Sequence, residues 1–231
     1  MRAALACALT LSVGTAHAFP PGPSDGEASQ PEPEARQERT GPGDWLAKFP
    51  GPQDGFMLRL QSLCGGERYA GRLVSDDPED AAMRGERLVI GPAECTIRDE
   101  RLAAIAIPFA VGDDASRTWR LSRTASGVRL RHRHALPDGT EDPASGYGGV
   151  ADGGGTFTRQ AFPVDAETGA LFEANGLSAS LGNVWAVEVV PGDALAYEMT
   201  RPGRRFRAEF DLAQPLDGGA LADDQAARAV P

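Results

Sequence analysis

From Arg68 onward the chain alternates apolar and polar residues with a period of two, the mark of half-buried strands. The alternation predicts strands over Tyr69–Val74, Arg87–Ile90, Leu102–Phe109, Arg117–Arg123, Val128–Leu136, Thr156–Phe162, Val184–Val190, Leu195–Thr200 and Arg205–Leu212. Turn residues divide them: Asp76-Asp77-Pro78, Gly112-Asp113-Asp114, Ser126-Gly127, Pro191-Gly192-Asp193 and Pro202-Gly203. Several of these links are too short for anything but hairpins, so neighbouring strands run antiparallel. Ala166 to Asn175 reads as a short helix ended by Gly176. Upstream, Phe56, Leu60 and Leu63 fall at helical spacing and predict a helix ended by Gly65-Gly66; a strand over Phe56–Leu60 is the competing reading. Asp44 is placed to cap a further short helix carrying Trp45, Leu46 and Phe49 before Pro50 stops it.

The expected fold is mainly β: an antiparallel up-and-down barrel, or a strongly curved sheet, of about eight or nine strands with one or two short N-terminal helices. A two-sheet sandwich is the alternative. A barrel removes exposed edges. With about eight strands its interior either fills with side chains or holds one small ligand, and periodicity does not distinguish the two.

The stretch Val128–Leu136 places Val128, Leu130, His132, His134 and Leu136 on one face and Arg129, Arg131 and Arg133 on the other. The apolar face turns inward and takes both imidazoles with it. An acidic turn follows, with Asp138, Glu141 and Asp142. Trp119 and Trp185 fall on the inward faces of their own strands. The proposed binding site is therefore the lumen or mouth around Trp119, His132, His134, Asp138 and Trp185. Its apolar and aromatic character suits a small apolar or amphipathic molecule.

Two histidines at i and i+2 can also share a metal ion, and a carboxylate such as Glu141 would complete a set of two histidines and one acid. A divalent metal on His132, His134 and Glu141, serving an enzyme, is the runner-up; no cofactor is otherwise expected. The spacing partly resembles the first cupin motif, with Gly127, His132, His134, Asp138 or Glu141, and Gly146 or Gly148. It departs from that motif in having no later histidine. Asp113, Asp114 and Ser116 read as turn chemistry rather than a hydrolytic carboxylate pair. No nucleophile elbow or phosphate loop is present.

Composition adds an address. Arg2, the apolar run Ala3–Val13 and Ala16-His17-Ala18 read as a secretory signal over residues 1–18. Residues 19–43, rich in Pro, Gly, Glu, Gln and Ser, read as a disordered tether. Residues 44–213 read as one domain and 214–231 as a flexible tail. Export to the periplasm or medium makes Cys64 and Cys95 a disulfide pair, because Cys7 leaves with the signal. Loss of Arg2 leaves 22 basic residues against 33 acidic ones, a net charge of −11. That balance disfavours nucleic acid, and no stretch is long and apolar enough for a transmembrane helix. The arginines Arg117, Arg120, Arg123, Arg129, Arg131 and Arg133 crowd one hairpin. They read either as a contact for an anionic envelope component or as a solvated face neutralised by Glu188, Glu198 and Glu209. The first option makes the chain a non-catalytic envelope interaction protein.

Several runs resemble a group of bacterial secreted proteins of unassigned function: SLCG (Ser62–Gly65), GDDASRTW (Gly112–Trp119), LRHRHALPDGTED (Leu130–Asp142), YGG (Tyr147–Gly149), RQAFPVD (Arg159–Asp165), NVWA (Asn183–Ala186) and FRAEFDL (Phe206–Leu212). The resemblance implies export and carries no activity. In that group the histidine strand holds further histidines where this chain has Ala135 and Leu136. Likeness to calycins is one of architecture only.

Overall fold

The helix read before Cys64 forms as α1, Gly51–Leu60, and runs into a 3-10 turn over Gln61–Leu63. These coordinates come from a computed structural model, which describes residues 51–136 and 138–216. The leader, the tether, the helix around Trp45 and residues 217–231 lie outside the described residues. α1 forms here because Gln53, Phe56, Met57 and Leu60 make one buried stripe, with Asp54 in the first turn and Arg59 in the last to suit the helix dipole.

Eleven strands follow, two more than the alternation predicts. They are β1 (Arg68–Leu73), β2 (Leu88–Ile90), β3 (Glu94–Arg98), β4 (Arg101–Val111), β5 (Asp114–Thr124) and β6 (Gly127–His134). The remainder are β7 (Tyr147–Val150), β8 (Arg159–Pro163), β9 (Val184–Val190), β10 (Ala194–Arg201) and β11 (Arg204–Leu216). Around the sheet the order is β7-β6-β5-β4-β2-β1-β11-β10-β9-β8, with β3 paired to β4 alone, and every pairing is antiparallel. A second helix, α2 (Ala166–Ala174), joins β8 to β9. The Asp165 carboxylate caps it by accepting from Thr168 N at 2.9 Å, and Gly176, at φ 69°, sits just beyond its end.

The sheet curls until its end strands β7 and β8 meet, so the barrel is nearly closed. At the seam the backbones pass too close for a side chain: a Cβ on Gly149 would lie 1.8 Å from the Pro163 carbonyl oxygen of β8. On the other side of β7, a Cβ on Gly148 would lie 2.1 Å from the Leu130 carbonyl oxygen of β6. This explains why β7 carries no strand signal: its central residues must be glycine, which has little intrinsic strand preference. β3 shows no alternation for another reason. It pairs on one side only and is largely exposed, so no buried face selects apolar residues. β11 runs on to Leu216, where it pairs with Arg68. Gln214–Leu216 thus belongs to the barrel rather than to the tail.

The disulfide joins Cys64, after α1, to Cys95 on β3. It ties the helix to the lone-edged strand. α1 in turn stoppers one end of the barrel. Phe56, Met57 and Leu60 are fully buried, and the Gln53 side-chain carbonyl accepts from Val128 N at 3.0 Å. The Arg123 guanidinium pairs with Asp54 and donates to the Leu102 carbonyl at 3.1 Å. Among the described residues no helix is long and apolar enough to cross a membrane.

Candidate functional site

Strand alternation on β6 is as expected. Val128, Leu130 and His132 are buried, His134 is half-buried at the rim, and Arg133 is exposed on the opposite face. Register then assembles a line of rings across the interior. His132 pairs with Trp119 on β5 and with Tyr147 on β7. Phe109 stacks on Trp119 at 4.7 Å, and Trp119 stacks on Tyr197 of β10 at 4.2 Å. The His132 ring lies 6.2 Å from Tyr197 and 4.8 Å from Tyr147. Tyr147 continues to Trp185 of β9 at 5.6 Å, and Trp185 to Phe172 of α2 at 6.4 Å. The lumen around this line is thus occupied by side chains. A void beside Leu63, Tyr69, Ile90 and Ile107 is about 10 Å³, the size of one water.

Three of the proposed site residues, Trp119, His132 and Trp185, therefore share the interior, and His134 borders it. Asp138 does not join them. It is exposed, and its carboxylate accepts from both the amide and the hydroxyl of Thr140, at 2.9 and 2.6 Å, which closes the tight turn. Its neighbours divide likewise. Glu141 takes Arg133 at 3.0 Å and the Ser145 hydroxyl at 3.0 Å, while Asp142 lies 3.1 Å from Nδ1 of His134. The loop holds Asp142 there through Asp142 N to the His134 carbonyl at 3.0 Å and Gly146 N to the His132 carbonyl at 2.9 Å.

The geometry of a metal site on His132, His134 and Glu141 does not assemble. Glu141 follows Arg133 to the outer face, and the period of two sets that face opposite the imidazoles. Among the described residues no three histidine, cysteine or acidic side chains converge. Asp114 likewise serves its turn, accepting from Ser116 N at 3.0 Å and pairing with Arg117 at 2.6 Å.

Burial dominates the electrostatics of the inner cluster. His132 is pushed from 6.5 down to about 3, first by loss of water and then by the charges of Arg117 and His134. The imidazole is neutral at pH 7. Burial also raises the Tyr197 phenol well above its usual value, with Tyr147 adding to the effect. Two polar atoms in this cluster, His132 Nδ1 and Trp119 Nε1, are buried without a hydrogen-bond partner among the described residues. Each such atom costs about 1–3 kcal/mol if it stays unpaired.

Tyr147 and Arg117 are the members the sequence reading passed over. Tyr147 sits in a glycine-rich run with no periodicity. Arg117 did carry a signal: it shares the face of Trp119 and Leu121 and is buried with them. The arginine stripe differs from expectation as well. Arg131 pairs with Asp165 at 2.8 Å and Glu167 at 2.6 Å beside α2. Glu198 instead receives Arg159 at 2.8 Å and Arg205 at 2.9 Å, and Arg207 takes Glu188 at 3.4 Å and Glu209 at 2.8 Å. The acids assigned to the stripe serve arginines on β8 and β11, which are their neighbours around the barrel.

Compared with known families, with characterised proteins and with solved structures, the chain has no significant match.

Proposed function

We propose that the chain is an exported binding module that receives a small amphipathic molecule at the barrel end bordered by Arg117, His134 and Asp142. The observation that carries this reading is the pair of orphaned polar atoms, His132 Nδ1 and Trp119 Nε1, on neighbouring strands of an otherwise apolar interior. Buried polar atoms are nearly always paired, so two unpaired ones side by side call for a partner. α1 stoppers the other end, so a ligand enters at this one. Tyr147, half-buried and 4.8 Å from the His132 ring, is the side chain it displaces. The neutral imidazole accepts or donates at Nδ1, the indole donates, and Trp185 and Phe172 cover the apolar part. The disulfide fits an oxidising compartment, and the leader read over residues 1–18 would deliver the chain there.

The test has two arms. Native mass spectrometry of protein recovered from an exporting bacterial host is expected to show a bound small molecule that His132→Leu loses. Titration with 1-anilinonaphthalene-8-sulfonate, followed by energy transfer from tryptophan, is expected to show saturable binding that the same variant weakens. A folded wild-type protein with no adduct and no saturable probe binding overturns the proposal.

A further inference from the structure

On the outer face of the barrel, two adjacent cross-strand rows line up from β3 to β6. One row reads Glu94, Ala106, Arg120, Arg131; the next reads Thr96, Ala104, Ser122, Arg129. Ala104 and Ala106 are the low points of both rows. They floor a groove of about 210 Å³ walled by Glu94 and Thr96 on β3 and by Arg120 on β5.

Some arginines on the outer faces find acids: Arg131 has Asp165 and Glu167, Arg133 has Glu141, and Arg159 and Arg205 share Glu198. Arg120, Arg129 and Glu94 make no ion pair among the described residues, a state they share with the exposed Arg68, Arg72, Arg98 and Arg101. Arg129 Nε is in addition buried with no acceptor. A guanidinium partly withdrawn from water and left without an anion is a costly arrangement. Glu94 and Arg120 stay apart because Ala106 lies between them, two strand spacings of roughly 4.8 Å each. The groove thus offers positive charge on one wall, negative charge on the other and a small apolar floor between.

We infer that this groove binds a small zwitterion of the phosphoethanolamine type. The phosphate lies against Arg120 and Arg129, whose planar guanidinium groups suit its oxygens. The ammonium lies against Glu94, and the two methylenes cross Ala104 and Ala106. Serine and threonine hydroxyls at 122 and 96 flank the path. The site stands apart from the barrel end and does not depend on the reading given there. The same headgroup occurs free in solution and on lipid, and the two sources differ in whether vesicles compete.

Calorimetric titration of the full chain with O-phosphorylethanolamine tests it. Saturable binding is expected, weakened about tenfold or more by Arg120→Ala, the scale set by one charge-assisted contact. Glu94→Gln is expected to weaken phosphorylethanolamine and to leave inorganic phosphate, itself a poorer ligand, unchanged. Co-sedimentation with phosphatidylethanolamine vesicles, compared with phosphatidylglycerol vesicles, identifies a lipid source; its absence with intact binding of the free zwitterion identifies a soluble one. Failure of the zwitterion to bind at millimolar concentration overturns the inference. So does binding indifferent to Arg120→Ala, or an equal effect of Glu94→Gln on phosphate and phosphorylethanolamine.

Discussion

Replacing His132 by leucine, an apolar side chain of similar bulk, should flatten the acid dependence of stability. The buried imidazole protonates only near pH 3, while in the unfolded chain it protonates near 6.5. Its folded pKa is therefore depressed. The stability linked to it is fully present above pH 6.5 and is lost progressively as the pH falls toward 3, because the unfolded state takes up a proton that the folded state refuses. Each pH unit is worth about 1.36 kcal/mol. Between pH 7.0 and pH 4.5 the loss from this one group is roughly 2–3 kcal/mol. Around it stand Arg117 and His134, which add to the depression, and the rings of Tyr147 and Tyr197; burial raises the Tyr197 phenol, so that group does not titrate in this range. Asp77, Asp114, Asp165 and Glu198 are all held below their usual values, and their contribution is likewise lost on acidification. Being common to both proteins, they cancel in the difference. Urea unfolding of wild type and His132→Leu at pH 7.0 and 4.5 measures the effect. The wild type should lose roughly 2–3 kcal/mol more than the variant over that interval. Equal losses would show that His132 is hydrated or paired in the folded state, and the argument from its burial would fall with them.

Three further outcomes follow from the packing. Removing the disulfide as Cys64→Ala, Cys95→Ala frees a closure spanning 31 residues and should lower unfolding free energy by about 3–4 kcal/mol, read by urea melts without reductant. Gly149→Ala puts a Cβ 1.8 Å from the Pro163 oxygen and should cost at least ~1–3 kcal/mol, whereas Gly182→Ala, whose nearest neighbour lies at 3.6 Å, should stay within ~0.5 kcal/mol in the same thermal melts. Asp54→Ala removes the carboxylate beside Arg123, whose side chain is 5 % exposed, and should destabilise by about 1–3 kcal/mol, with early hydrogen exchange of the α1 amides as the local readout.

Much of the barrel could be read before any coordinates. The nine segments with clean alternation all form strands, with ends shifted by a few residues, because one face of each is buried and selects apolar side chains. The helix near Cys64 and the one ended by Gly176 form for similarly local reasons. β3 and β7 could not be read. The first is held by the disulfide and by β4 rather than by a buried face. The second is shaped by backbones crowding at the seam. At the candidate site the inward imidazoles and tryptophans were legible from period two, but the fate of the acids was not. Asp138, Glu141 and Asp142 stand within five residues, and the loop sends one to Thr140, one outward to Arg133 and one to His134.

Side-chain alternation by itself determined which face of each strand turns inward, since steric alternation at Cβ leaves no other choice once one face must be dry. It also determined that His132 and Arg131 point oppositely. Only the closed sheet decided which strands become neighbours around the circle. From that followed the line of rings that fills the lumen, the buried and neutral state of His132, and the pairing of Arg131 with α2 rather than with Glu188, Glu198 or Glu209. Those outcomes depend on distances between segments remote in sequence, and alternation within one segment carries no information about them.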